Sequence, residues 1–264
     1  LSTDLADIIA ATTRPMPSQN PDAILEIVRD ERARLHYEAD LAYLRGDFGR
    51  ILDCFHKANG DDAVWLRVSP AAAAAAISLG DYHAYTQMET YLKSCSKAHQ
   101  GTASAMAELA LATAAVSCMA PSMAPEWLKQ GDFSAFPTPI RPLVLYLRAK
   151  YFQCTGEYAS MLVLSQTALS LIEQERGISH PGVYLRLCCA MACYALGQED
   201  EARHWLMEVM RIALPHGFVT PFAEAMTALG GLVEECLERE FPDLRDSVLG
   251  QWKSTWKNWI TFHN

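Results

Sequence analysis

A short turn sequence recurs four times along this chain, and its spacing limits how the chain can fold. A glycine precedes a polar residue and then an aromatic or acidic one at Gly46-Asp47-Phe48, Gly80-Asp81-Tyr82, Gly156-Glu157-Tyr158 and Gly197-Gln198-Glu199. Gly80 lies 34 positions after Gly46, whereas Gly197 lies 41 positions after Gly156. The larger spacing requires an insertion, which we place at Glu175–Gly182. Glycine at such positions predicts a chain reversal between two helices.

Small residues accompany the turns at a fixed distance. Seven residues before the four glycines stand Ala39, Ala73, Ala149 and Ala190. Seven residues make two helical turns, so each alanine lies on the face that a partner helix approaches closely. A spacing of 34 residues is also the period of a tetratricopeptide repeat. The pattern therefore predicts tetratricopeptide-like pairs of helices.

The turns and the prolines divide the chain into helical segments. We expect helices at Pro21–Arg45, Phe48–Ala58, Trp65–Leu79, Tyr82–Ala98, Thr102–Met119, Arg141–Thr155, Tyr158–Glu175, Val183–Leu196, Asp200–Leu214, Pro221–Glu240 and Leu244–Phe262. A fifth glycine turn, at Gly131, is not expected to join two helices, because prolines precede and follow it. We interpret Trp127–Pro142 as a Pro-rich bridge between two stacks of helices. No segment alternates as a strand would.

The expected fold class is all-α, a tetratricopeptide-like helical-repeat superhelix (α-solenoid) of about 10–14 helices. We expect one domain over residues 1–264, with sub-stacks at 1–120 and 141–264 joined by the Pro-rich bridge. In such an array each unit buries apolar surface against its neighbours, which suits a chain of 264 residues that is 50% hydrophobic.

Charge and apolar pattern restrict the partners and the compartment. The chain carries 22 Lys and Arg against 31 Asp and Glu, a net charge of −9, and has no basic run to contact a row of phosphates. Asp4 and Asp7 interrupt the apolar start that a signal peptide needs. The most apolar run, Leu109–Ala120, is shorter than the roughly 20 residues that span a bilayer. We expect a cytoplasmic protein without membrane contact.

The eight cysteines are scattered and include no Cys-x-x-Cys pair. Most of them stand in apolar helical stretches, which favours reduced core thiols over disulfides or metal ligands. The chain also lacks a phosphate-binding loop, a dinucleotide-binding glycine motif, a zinc-protease motif and a nucleophile elbow. We therefore expect no catalytic residue, no cofactor and no metal.

Three tryptophans share one face of the last expected helix. Trp252, Trp256 and Trp259 stand at i, i+4 and i+7. One interpretation is a terminal helix that covers the open end of the array, since the last repeat has no further neighbour. The other is a hinge or a surface for a partner.

Three segments resemble a known family. Leu214–Glu224, with its Pro-His-Gly helix stop and Thr-Pro restart, resembles the effector-sensing region of LuxR-type transcriptional regulators of the MalT-like group. Trp127–Phe136 and Asn258–Asn264 are similar to such regulators as well. In that family a helix-turn-helix domain follows the array, and some members carry a nucleotide-binding domain before it. The resemblance implies a sensor region without its C-terminal DNA-binding domain, so DNA would be contacted only through that absent domain.

The repeat register selects candidate binding residues. In a tetratricopeptide array the first helix of each pair lines the concave surface, and its exposed positions lie at helical offsets before the turn glycine. These offsets select His36, Asp40, Tyr43, Arg67, Tyr146, Lys150, Gln153, Tyr184 and Tyr194. Aromatic rings combined with charges of both signs suit a small polar effector or a peptide.

Two functions follow as hypotheses. The preferred one is a ligand- or partner-sensing regulatory domain of a LuxR-type transcriptional regulator, which passes the binding signal to DNA-binding machinery. The alternative is a constitutive tetratricopeptide adaptor that holds a peptide or protein partner in its groove. The sequence is also compatible with a homodimer. An enzyme has no motif in its favour.

Overall fold

The computed structural model describes residues 2–172 and 176–263, and this part of the chain is helical throughout. It contains fifteen α-helices, somewhat more than the expected 10–14, and four short 3-10 helices. In the described part no strand forms, and one isolated bridge joins Met16 to Ile178. The prediction of an all-α protein is confirmed.

The helices have the following bounds: α1 Ser2–Ala11, α2 Ile24–Ile27, α3 Glu31–Arg45, α4 Phe48–Lys57, α5 Asp62–Leu79, α6 Tyr82–Ala98, α7 Thr102–Ser117, α8 Glu126–Gln130, α9 Arg141–Thr155, α10 Tyr158–Ile172, α11 His180–Ala195, α12 Glu199–Ala213, α13 Thr220–Leu229, α14 Leu232–Glu240 and α15 Pro242–His263. No helix within these described ranges has both the length and the apolar character needed to cross a membrane.

The four turn glycines reverse the chain as predicted. Gly46, Gly80, Gly156 and Gly197 have φ of 80°, 73°, 76° and 76°, in the left-handed region that favours glycine. The following aspartate explains the Gly-Asp pairing: Asp47 caps α4 by accepting from the Arg50 backbone N–H at 3.1 Å. Asp81 caps α6 in the same way. The turn therefore ends one helix and starts the next.

The alanines before the turns are buried, as the sequence predicts. Ala39, Ala73, Ala149 and Ala190 are at most 2% exposed. Each lies in the first helix of a pair, namely α3, α5, α9 or α11, and each of these helices packs against the helix that follows it. A small side chain there allows the two helix axes to approach closely.

Several boundaries differ from the sequence expectation. The segment expected as one helix at Pro21–Arg45 is divided, because Val28 is extended and Asp30 caps a new helix at Glu31. Pro221–Glu240 is divided at Gly230, which has φ of 55°. The expected bridge Trp127–Pro142 includes part of α8 and the start of α9. Glu175, which begins the expected insertion and ends an expected helix, lies outside the described residues.

Helix α1 was not predicted. Leu5, Ile8 and Ile9 stand at helical spacing on one face, and each is at most 1% exposed. The face packs against α3, α5 and α7. Thr12–Met16 continues from it across the fold, and Met16 pairs with Ile178 before α11. The N-terminal segment therefore connects the early helices to the late ones.

Six helices form a closed ring. Contacts run from α3 to α5, α7, α9, α11 and α13, and α13 returns to α3. The junction is polar: the Thr220 hydroxyl donates to the Tyr43 backbone carbonyl, and the Tyr43 hydroxyl donates to Glu224. Ring closure encloses the inner faces of these helices.

Helix α15 packs against α5 and α13 of the ring and against α14. Asn258 donates to the Ser78 carbonyl at 2.8 Å, and the Trp259 indole N–H donates to the Ser78 hydroxyl at 3.0 Å. Trp252 and Trp259 are partly buried, whereas Trp256 is 44% exposed and stacks on Trp252. Helix α15 therefore connects an early helix, α5, to the late helices α13 and α14 and does not cover the last helices alone.

Candidate functional site

A cavity of about 610 Å³ lies inside the ring. The helices α3, α5, α7, α9, α10 and α11 supply its walls, and residues 12–14, 16, 138–140, 178 and 179 supply the rest. The helices that line it are mainly the first members of the glycine-turn pairs. A volume of this size falls in the range of small-molecule sites.

The cavity brings together six of the nine residues that the sequence selected. These are His36, Asp40, Tyr43, Arg67, Tyr146 and Tyr184. The structure therefore places residues from α3, α5, α9 and α11 around one space, although they are up to 148 positions apart in the sequence.

Lys150, Gln153 and Tyr194 do not line the cavity. It contacts only the N-terminal halves of α9 and α11, up to Tyr146 and Tyr184, and these three residues lie further along the same helices. Lys150 donates to Gln153, whose amide nitrogen lies 3.6 Å from the Met191 sulfur. The helical offsets select these three residues as well, but the structure does not bring them to this cavity.

The expectation that the selected residues are solvent-exposed was wrong for most of them. Tyr43, Arg67, Tyr146 and Tyr184 are 4–7% exposed, and Gln153 is 9% exposed. The reason is the closure of the ring together with α1, which covers the inner faces of α3, α5 and α7. An open groove would leave the same positions in water.

Arg67 is a buried cation in the cavity wall. Its Nε donates to the Thr12 hydroxyl at 2.8 Å, and Nη2 donates to the Thr12 carbonyl at 3.3 Å. Burial lowers the pKa of Arg67 to about 10, which leaves it charged at neutral pH. Within the described chain it forms no ion pair, which is unusual for a buried charge.

His36 is neutral, and its tautomer follows from its neighbour. Its Nε2 lies 3.1 Å from Arg67 Nη2. Arginine is only a donor, so Nε2 must accept and the ring proton must be on Nδ1. Burial, and then the charge of Arg67, lowers the pKa of His36 to about 3. The buried Nδ1 has no hydrogen-bond partner among the described residues.

Asp40 forms its hydrogen bond with His180 and not with Arg67 or His36. Its Oδ1 lies 2.7 Å from Nδ1 of His180, the first residue of α11. Burial opposes ionisation of Asp40, but the charge and hydrogen bond of His180, together with the charge of Arg67, outweigh it and lower the pKa below 3.8. The His180 ring stacks on Tyr184 at 4.7 Å between centroids. The contact between Asp40 and His180 connects α3 to α11 at the cavity wall.

Three tyrosines form the aromatic part of the wall. The Tyr43 and Tyr184 hydroxyls donate to the two carboxylate oxygens of Glu224, the latter at 2.7 Å. Tyr146 lies 5.1 Å from Tyr184 between ring centroids. Burial, and then the Glu224 charge, raises the pKa of all three phenols well above 10. They are therefore neutral donors at neutral pH.

The rest of the wall is largely apolar. Pro70, Ala71, Ile140, Leu143 and Leu145 contribute aliphatic surface. Two arginines, Arg14 and Arg141, also line the cavity but are exposed to solvent. The arrangement can hold an organic molecule with an apolar body and a polar group.

Sequence reasoning missed three residues of this network: Thr12, His180 and Glu224. Thr12 and Glu224 lie outside the helix pairs from which the offsets were counted, and His180 lies seventeen residues before Gly197, beyond the offset range. Glu224 does stand at the end of the segment that carries the family resemblance. The helix start at His180-Pro181 after Ser179, which caps α11, was the available signal for His180.

Possible metal ligands and thiols are located among the described residues. Within the described ranges no three His, Cys, Asp or Glu side chains are grouped so that they could hold a metal ion. The cysteines are unpaired, and all except Cys154 are buried, as the apolar helical stretches around them predict. Burial raises the pKa of the Cys188 thiol to about 12.

Comparison with known proteins does not add to this picture. No protein-family model matches the chain, and neither a curated protein nor a solved structure matches it.

Proposed function

We propose that this chain is the effector-sensing part of a LuxR-type transcriptional regulator, built from tetratricopeptide-like helix pairs, and that it acts by binding and not by catalysis. The observation that carries the proposal is the 610 Å³ cavity lined by the first helices of the pairs. The turn at Gly46 and Gly80, with its 34-residue spacing, supports the repeat assignment. The protein would work in the cytoplasm.

The cavity favours a small molecule over a peptide as the signal. A peptide in an adaptor needs an open groove. Here α1 covers the inner faces of α3, α5 and α7, and α13 returns to α3. The remaining space, about 610 Å³, suits a compact organic ligand.

The ring offers a route from ligand to response. A ligand in the cavity touches helices from the early part of the chain, α3 and α5, and from the late part, α9 and α11. It stabilises the closed arrangement to the extent that it binds that arrangement better than an opened one. In a regulator, this shift would be passed to a helix-turn-helix domain that contacts DNA.

The test is a thermal melt of the chain against a panel of amino acids, nucleosides, sugars and organic acids. A ligand at a hundred times its Kd adds about 2.7 kcal/mol, which raises the Tm by about 5 °C or more in a chain of this size. Ala71→Phe, which places a ring in the cavity, should remove the shift.

Ala159→Phe adds the same ring on the exposed face of α10 and should retain the shift. A shift of equal size in both variants would place the ligand outside the cavity. A panel without any active compound, with tight binding of an extended peptide instead, would favour the adaptor.

A further inference from the structure

The hydrogen-bond donors of Arg67 and His36 exceed the acceptors that the fold supplies. Arg67 has five N–H groups, of which Nε and Nη2 use three, on the Thr12 hydroxyl, the Thr12 carbonyl and His36 Nε2. Nη1 has no hydrogen bond within the described residues. The Nδ1–H of His36 is buried without a partner. His36 Nδ1 is sealed from solvent whereas Arg67 Nη1 is not, so the acceptor missing from this corner of the cavity is the one for Nη1.

The missing acceptor is expected to carry negative charge. Arg67 is 5% exposed and has no carboxylate within ion-pair distance in the described chain, since the nearby Asp40 is bonded to His180. Asp40 offsets part of the charge of Arg67 through space but does not bond to it, so the free Nη1 remains open to an anion from solvent. Carboxylates fit its planar donor pair, and such charge-assisted bonds are the stronger ones.

We propose that the cavity binds an organic monocarboxylate, with its carboxylate on Arg67 Nη1 and its apolar body against the aliphatic wall. This inference rests on the proposed function, because it names the chemical class of the sensed effector. A single negative charge suits Arg67, which is the one buried Lys or Arg among the described residues. Pro70, Ile140 and Leu143 contribute aliphatic surface for the body, and Arg14 and Arg141 make the rim attractive to anions.

The test compares carboxylates with neutral molecules of the same shape. Benzoate, 3-phenylpropionate and octanoate are titrated into the chain at pH 7 by calorimetry, each beside its own primary amide, with inorganic phosphate as a separate arm. We expect at least one carboxylate to bind with a Kd about tenfold or more below that of its amide. That ratio is measured on the unmodified protein and needs no variant.

Substitutions at Arg67 test whether this residue causes the tighter binding of carboxylates than of their amides. Arg67→Met should bring carboxylate and amide to equal affinity, whereas Arg239→Met, the same change at an exposed site on α14, should leave the ratio intact. If Arg67→Met does not fold, Arg67→Gln removes the positive charge while keeping a polar side chain that can hydrogen-bond to Thr12 or His36. This variant should weaken the carboxylate severalfold and leave the amide unchanged.

The outcomes separate this inference from the proposed function. Amides that bind as well as carboxylates would overturn anion recognition, while the cavity would remain a ligand site. Phosphate that binds more tightly than every carboxylate would overturn the monocarboxylate. Absence of binding by both series would also overturn it, and the sensor proposal would still be decided by the other classes in the metabolite panel.

Discussion

At the residue scale, the cavity depends on side chains that are buried with incomplete hydrogen bonding. His36 is the clearest case, because its ring is neutral, accepts from Arg67 and keeps an unpaired Nδ1–H. Functional sites commonly carry such costs. Two predictions belong to this scale, one for ionisation and one for backbone conformation.

The first prediction concerns stability in mild acid. The pKa of His36 is lowered from 6.5 to about 3 in the folded state, so between these values the unfolded chain takes up a proton that the folded chain does not. Stability from this residue is therefore present above pH 6.5 and is lost as the pH falls. From pH 7 to pH 5 the loss should be about 2 kcal/mol.

Urea unfolding at the two pH values measures this loss. His36→Gln should reduce the pH dependence by about 2 kcal/mol, whereas His83→Gln, at an exposed position, should leave it unchanged. Equal pH dependence in the unmodified protein and His36→Gln would show that His36 is not buried in its neutral form.

The second prediction uses three glycines with different surroundings. Gly156 has φ of 76° and open space around it, so Gly156→Ala should cost about 1 kcal/mol from backbone strain alone. At Gly46 a Cβ would also lie 2.3 Å from the Gln251 side chain, and Gly46→Ala should cost more. Gly250 lies in α15 with free space, so Gly250→Ala should stabilise by about 0.5–1 kcal/mol. Thermal melts that rank the three differently would contradict this order.

At the element scale, local periodicity predicted the paired helices, whereas contacts between residues distant in sequence determine how these helices form a closed ring. The glycine turns and buried alanines were predictable because each is a short-range pattern. Helix α1 was missed because it lacks a glycine-turn mate, and the division at Val28 follows from the Asp30 cap within a helical pattern. Closure of α13 on α3 joins Tyr43 to Glu224, and no spacing in the sequence reports such a contact.

The third prediction tests the attachment of α15. Trp259 is partly buried and its indole donates to Ser78 on α5, whereas Trp256 on the same helix is 44% exposed. Trp259→Leu should therefore lower the free energy of unfolding by about 2 kcal/mol. Trp256→Leu should change it by less than about 1 kcal/mol. Chemical denaturation compares the two, and equal losses would contradict the described orientation of α15.

At the scale of the whole molecule, the offset rule found much of the candidate site because the first helices do share an inner surface. It did not foresee burial or the network of Thr12, His180 and Glu224, since these depend on how α1, the start of α11 and α13 meet. The net charge of the chain is also a property of the whole molecule.

The fourth prediction is that this chain alone does not bind duplex DNA with sequence selectivity. Its net charge is −9, and binding to phosphates requires clustered basic residues. A mobility-shift assay at moderate salt with a pool of random duplexes should recover no preferred sequence. Selective recovery of one motif would contradict the proposal that DNA is contacted only through a separate domain.

The central claim is that a small ligand occupies the space inside the ring, and amide hydrogen exchange tests it most directly. The best-binding compound from the panels is compared with buffer alone. Binding in the cavity should slow exchange together in α3, α5, α9 and α11, which are adjacent in the ring but distant in sequence. Protection confined to α15, around Trp256, would contradict the account and place the binding surface on the outside of the molecule.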